Sequence, residues 1–209
     1  TKEILNEFYS NSIQYEYWNK YIFPASRKMR MKRIFRPRVE KIIDICKAKN
    51  IKKDLIVEIG SASGMFTEEL KLNGNFKRII GIEPGKAQAE TSKSVGVEII
   101  ESTIENLTSL DEKANILCSF ETIEHVFSPK LFLQKCYEIM GSNSLLILTC
   151  PNYEGFDISE MGVNSESLDA EHINLFNPNS IKILLEDNGF TINEITTPGN
   201  LDAEIVRKN

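Results

Sequence analysis

The spacing of apolar positions along the chain changes period repeatedly, and those changes predict its elements. Runs near 54–59, 78–83, 97–100, 114–120 and 144–150 are short and rich in Ile, Val and Leu, so each reads as a buried strand. Segments near 65–73, 86–95, 129–140 and 179–188 have helical spacing or helix boundaries, as with Phe66 and Leu70, and read as helices between the strands. Asn188-Gly189 is a helix stop, and Phe190 to Ile195 reads as a sixth strand. Strands alternating with helices predict an α/β, doubly wound, mostly parallel sheet covered on both faces. Ahead of them, a long helix is predicted from about Ser26 to Lys49, kinked or broken at Pro37. The chain therefore divides into a helical extension, 1–50, and a sheet domain, 51–209. The stretch from Asn152 to Pro178 is long, polar and leaves the carboxyl end of the fifth strand, where such sheets bind ligands; it reads as a lid or substrate-recognition segment.

One strand ends in Ile56-Val57-Glu58-Ile59-Gly60-Ser61-Ala62-Ser63-Gly64 and leads into a helix. An acid followed by small residues lets backbone approach a ligand closely. Glu83 comes 19 residues after Gly64, at the end of the next apolar run, where a carboxylate suits the two hydroxyls of a ribose. The pattern G-x-G-x-x-G of dinucleotide sites is not met, because its second and third glycines would be Ala62 and Met65.

The loop led by Glu58, with small residues at 60, 62 and 64, resembles motif I of the class I S-adenosylmethionine-dependent methyltransferases, with Ala62 in place of the middle Gly. Three later segments extend the likeness. Glu101 to Leu107 is similar to the adenine-contacting segment, with Thr103 where an acid is common. Ala114 to Phe120 followed by Glu121-Thr122-Ile123-Glu124-His125, and then Leu145 to Asn152, complete the order seen in ubiquinone-biosynthesis O-methyltransferases and their bacterial small-molecule relatives. The resemblance implies a Rossmann-like sheet of seven strands, or six here, with Leu201 to Val206 available as an antiparallel seventh. It implies that Gly60, Ser61 and Gly64 bring backbone to S-adenosylmethionine and that Glu58 supports its methionine end. Glu83 would hold the ribose, Thr103 and Ile104 frame the adenine, and Ser119 and Phe120 line the methionine moiety.

The two histidines carry the candidate chemistry. Residues i, i+3 and i+4 share a helical face, so Glu121, Glu124 and His125 could converge, joined by His172 from the lid segment. Two carboxylates and two imidazoles suit Mg2+ or another divalent cation. The E-x-x-E-H pattern with a later His also resembles the metal-binding motif of small-RNA 2′-O-methyltransferases and some ubiquinone-pathway enzymes. Three readings stay open: a cation holding an acceptor hydroxyl, His125 or His172 as a metal-free general base, or a purely structural role in which the histidine caps a helix or packs beside the cofactor.

Composition narrows the rest. With 41% hydrophobic residues in 209, the chain can bury one full core. A net charge of −5 disfavours nucleic acid as a partner, and with it an RNA 2′-O-methyltransferase. The exception is the basic run Arg27 to Arg38, read as a solvated helix face or as a contact to an anionic small-molecule acceptor. Aromatics at 8, 9, 15, 17, 18, 21 and 23 could wall the acceptor pocket or simply pack under the first helix. Cys46, Cys118, Cys136 and Cys150 form no C-x-x-C pair and read as reduced thiols of a cytoplasmic protein. No apolar run is long enough for a membrane span, no leader is visible, and the chain opens on Thr1, as in a processed chain. The expected activity is methyl transfer to a small-molecule hydroxyl; a catalytically silent S-adenosylmethionine-binding module and a nicotinamide oxidoreductase are the rivals.

Overall fold

The computed structural model describes residues 4, 7, 17–165 and 167–199. Its centre is a five-stranded parallel sheet of β1 (Leu55–Ile59), β2 (Arg78–Ile82), β3 (Glu98–Ile100), β4 (Ala114–Phe120) and β5 (Met140–Thr149). The order is β3-β2-β1-β4-β5, so the chain steps outward from β1 and then returns to its other side. That reversal opens a crevice at the carboxyl ends of β1 and β4. The helices are α1 (Phe23–Arg30), α2 (Arg36–Lys49), α3 (Met65–Glu69), α4 (Lys86–Lys93), α5 (Pro129–Ile139), α6 (Phe156–Met161) and α7 (Pro178–Asp187).

Every residue of β1 is buried, because both faces of the sheet are covered. Leu55, Val57 and Ile59 point to one face and pack with Ile80, Leu117, Phe132 and Leu133 of α5. Ile56 points to the other, into a core with Ile116, Phe66 of α3, and Val39 and Ile42 of α2. Glu58 alternates with Ile56 and so lies on the α2 and α3 side, paired in register with Gly81 and Cys118. The helix starts follow local chemistry. Ser128 Oγ accepts from Leu131 N–H at 3.3 Å ahead of Pro129, and Asn177 and Ser180 form a reciprocal cap ahead of α7.

Four expectations change. The N-terminal helix is not broken at Pro37: helical structure runs from residue 17 to Lys49, with π turns at Trp18–Ile22 and Met31–Phe35. Arg36 N–H donates to Met31 O, five residues back, so the wide turn falls just before the ring that would collide with an α-helical carbonyl. Phe190 to Ile195 forms no strand. Phe190 stacks edge-on against Tyr137 at 5.6 Å, and Asn193 and Glu194 meet Lys49 and Lys41 of α2 at 2.9 and 3.9 Å. A strand needs a paired neighbour, and Leu201 to Val206, the expected seventh strand, lies outside the described residues. Phe8, Tyr9 and Tyr15 lie outside them too. The long 152–178 segment is also less irregular than expected: it holds α6 and a 3-10 turn, Gly162–Asn164. Its two ends are joined by a bridge between Asn152 and Phe176 and by Tyr153 N–H donating to Phe176 O at 2.7 Å. Finally, Glu121 to His125 is not a helical turn, with consequences for the site described next.

Candidate active site

The loop after β1 turns through three left-handed residues: Gly60 at φ 76°, Ala62 at 45° and Gly64 at 76°. A side chain at Gly60 would put its Cβ 2.5 Å from Thr122 Oγ1; one at Gly64 would sit 2.9 Å from Ser92 Cα. Only glycine fits either contact. Gly60 and Ser61 donate to Ile82 O at 2.8 and 3.2 Å, which ties the loop to the end of β2. There Glu83 is buried, its Oε2 accepting from Ala62 N–H and its Oε1 from Gly85 N–H, both at 2.8 Å. Burial pushes the Glu83 carboxyl up to about 7, against the pull of those two amides. The carboxylate braces the loop and keeps lone pairs for a ligand's hydroxyls.

Glu58 lies beneath, buried, with Oε2 lacking any hydrogen-bond partner. Burial holds its carboxyl well above the usual range; the Arg38 charge acts against this and Glu83 adds to it. Arg38 comes inward from α2, its guanidinium 4.3 Å from the Phe120 ring centroid, and that ring packs edge-on against Phe66 at 4.8 Å. Read from sequence, Arg38 was one cation of a basic run. Its position four residues before Ile42, on the buried side of α2, was the signal that separates it from the others. Ser119 is buried and donates to Ile59 O at 3.3 Å. Thr103 precedes the 3-10 turn Ile104–Asn106, with its Oγ1 buried and unpartnered, while the Ile104 side chain enters the core. Ser61 and Ser63 likewise hold buried hydroxyls without partners. Unsatisfied polar atoms at strand ends, a braced glycine loop and the inward guanidinium of Arg38 fit a nucleoside bearing an amino-acid tail.

A second cluster lies beyond β4. Glu124, His125 and His172 place one ligating atom each within 4.8 Å of one another. The imidazole centroids are 4.7 Å apart, and His125 Nε2 lies 3.8 Å from Glu124 Oε1. His125 Nδ1 sits 3.2 Å from Glu171 O and His172 Nδ1 3.1 Å from Ser167 O. A carbonyl can only accept, so each Nδ1 carries the proton and each Nε2 is the acceptor nitrogen. Glu124 is 1% exposed and neither carboxyl oxygen has a hydrogen-bond partner. Burial pushes it up to about 8, with Glu121 adding. Burial also pushes His125 down to about 4, with His172 adding and the Glu171 carbonyl opposing.

Glu121 is not in this cluster. Its φ of 51° turns it aside, its Oε1 accepts from Thr149 Oγ1 at 2.5 Å, and residues 121–127 form tight turns instead of the helical face expected. Two residues missed in the sequence hold the cluster together. Asn174 gives its backbone N–H to Glu124 O at 3.0 Å, and its amide reaches Glu124 O and Val126 O at 3.2 and 2.7 Å. Asp169 Oδ1 accepts from the N–H groups of Glu171 and His172 at 2.8 and 2.9 Å. An Asp-x-Glu-His-x-Asn spacing ahead of a helix cap was the available signal for that turn.

A parallel sheet that reverses beside β1, with a glycine loop braced by a buried acid at the end of β2, is the architecture of a nucleoside-binding methyltransferase domain. The comparisons agree: residues 28–195 match the model of a methyltransferase-domain family, and the chain belongs to that family. It is 26% identical over 103 residues to the ubiquinone biosynthesis O-methyltransferase of Azorhizobium caulinodans, covering 46% of this chain and 40% of that one. The chain spans less than half the length of the curated relatives it matches. Among solved structures, a Thermotoga maritima S-adenosylmethionine-dependent methyltransferase, described as a possible histamine N-methyltransferase, superposes with a TM-score of 0.64 at 24% identity, over 85% of this chain and 81% of that one. The plantazolicin methyltransferase in complex with SAH gives 0.69 at 14%, over 90% and 74%. At these identities the structural likeness is one of fold.

Proposed function

We propose that this methyltransferase acts on a hydroxyl of a small molecule, and that Glu124, His125 and His172 hold a divalent cation beside the acceptor. The observation that carries the reading is the pairing of a buried carboxyl lacking partners with two imidazoles whose Nδ1 protons are fixed on backbone carbonyls. Two nitrogens and one carboxylate suit Mn2+ or Zn2+ better than Mg2+, which prefers oxygen. An imidazole held down to about 4 is neutral at working pH, which suits a ligand and makes His125 a weak general base. The partial match to ubiquinone biosynthesis O-methyltransferases supports oxygen as the acceptor atom.

S-adenosylmethionine, when bound, supplies a methyl carbon that an acceptor oxygen can attack in line, the C–S bond breaking to leave the neutral thioether and the hydroxyl proton passing to solvent. In the proposed complex Glu83 takes the ribose hydroxyls, and Thr103 Oγ1 and the Ile104 backbone meet the adenine. Gly60, Ser61 and Gly64 let backbone close on the nucleoside. Ser119 and Phe120 border the methionine arm, Glu58 supports it from below, and Arg38 offers the guanidinium that a carboxylate there requires. A bound cation would lower the pKa of the acceptor hydroxyl. The N-terminal helical segment and the 152–178 loop then cover the acceptor from two sides. Turnover is expected to stop in excess EDTA and return with Mn2+; full turnover in EDTA would leave His172 as base and end the metal reading.

A further inference from the structure

From residue 17 to 39 the chain carries eight Lys or Arg and no acid, in a protein whose net charge is −5. Its helical exposed face recurs at every fourth position as adjacent pairs: Lys20 and Tyr21, Pro24 and Ala25, Lys28 and Met29, Lys32 and Arg33. The pairs span about 20 Å at 1.5 Å per residue. The cations differ in their engagement. Arg27 pairs with Glu68 and Arg36 with Glu69, both on the α3 side. Lys28, Lys32 and Arg33 make no ion pair among the described residues, and Lys20 lies over the Tyr21 ring at 5.1 Å. Between them stand apolar groups facing solvent: Tyr17 is 55% exposed, Tyr21 51% and Met29 56%. A cavity of about 520 Å³ opens on the same side between Pro24, Arg27, Lys28, Met31, Lys32 and Arg36.

Solvation alone accounts for lysines on a helix, but not for tyrosines and a methionine left in water among them in a 23-residue stretch that carries no acid of its own. Long cationic side chains around apolar tips match the boundary between anionic headgroups and acyl chains, where ammonium groups reach the phosphates and the tips sink below. A base-stacking surface fits less well. Tyr17 and Tyr21 tilt against each other, with centroids 5.0 Å apart and planes at 45°, and Met29 neither stacks on a base nor reads its edges. The excess of acid elsewhere in the chain would turn this face toward a negative surface and the rest away from it.

We propose that the exposed face running from Tyr17 through α1 to Arg33, with the π turns on either side of α1, is a docking surface for an anionic lipid bilayer, the helix lying in the headgroup plane. Arg38, just beyond this face, reaches Phe120, so docking sets the active site close behind the membrane surface. The proposal is independent of the cation and of the acceptor.

The test is co-sedimentation of the full chain with vesicles of phosphatidylcholine, with or without phosphatidylglycerol. Binding is expected only to the mixed vesicles and should weaken with added salt. Lys28→Gln, Lys32→Gln and Arg33→Gln together should lower the partition coefficient about a hundredfold, at about fivefold per cation near the surface. Met29→Glu should weaken it without touching any cation. Donor binding and thermal melting in the absence of lipid serve as fold controls and should not change. No retention on the mixed vesicles at low salt would overturn the proposal, as would equal binding to phosphatidylcholine alone. Binding of an RNA oligomer through the same three cations, with vesicles ignored, would overturn it in favour of nucleic acid.

Discussion

Ala62 shows how much a single methyl can matter in a loop shaped for glycine. Its φ of 45° lies between two glycines in the same left-handed region. A non-glycine residue there costs about 1–2 kcal/mol, and replacing it loosens the unfolded chain by about 0.5–1 kcal/mol. Ala62→Gly should therefore stabilise the fold by about 0.5–1 kcal/mol, read as a higher urea midpoint; a lower midpoint would show that the methyl packs usefully. Glu124 gives a pH signature. Its folded carboxyl holds a proton up to about 8, against an ordinary 4.5, so its contribution is fully present below 4.5 and is lost as pH rises through 8. His125 acts oppositely: folded near 4 against an ordinary 6.5, its contribution is present above 6.5 and lost as pH falls through 4. With chelator present, Glu124→Gln should raise stability at pH 9 by about 2 kcal/mol relative to the parent and change it little at pH 5. Equal effects at both pH values, from urea melts, would show that Glu124 does not hold its proton.

The elements differ in how far local sequence reaches. The central strands β1 and β4 were legible because burial on both faces leaves near-continuous apolar runs, the edge strands β3 and β5 from shorter runs of Ile and Leu, and Gly60, Gly64 and Glu83 because their spacing belongs to one strand-loop-helix-strand unit. The helix through Pro37 was not, since a π turn depends on a carbonyl five residues back and leaves no mark in composition. Residues 190–195 alternate like a strand, yet pairing depends on a neighbour far along the chain. Glu121 failed for a similar reason: helical spacing was assumed where a positive φ intervenes. Asn174 is the clearest long-range case, because its role depends on carbonyls about 50 residues away. Asn174→Ala removes two side-chain hydrogen bonds and should cost about 1–2 kcal/mol. It should also weaken Mn2+ binding ten- to hundredfold in calorimetry, because His172 loses its fixed distance to Glu124. Asn174→Asp should rescue neither, since a carboxylate cannot donate to carbonyls; an unchanged Mn2+ affinity in both variants would make Asn174 a purely structural staple.

Across the whole molecule, two cores on opposite faces of one sheet hold the crevice open between them, each anchored by a different helix set. α2 and α3 back the Glu58 side and α5 backs the other, so the two faces of the sheet rest on separately packed layers. The bridge from Asn152 to Phe176 joins the two ends of the chain between β5 and α7. Because the intervening loop departs and returns at one point, its contents outside Asp169 to Asn174, which bond back to Glu124, His125 and Val126, can be exchanged without altering the path of β5 or the start of α7. Evolution can thus reshape what lies beyond the carboxyl end of β5 by rewriting one closed excursion of the chain, while the Gly60 to Gly64 loop and Glu83 stay as they are.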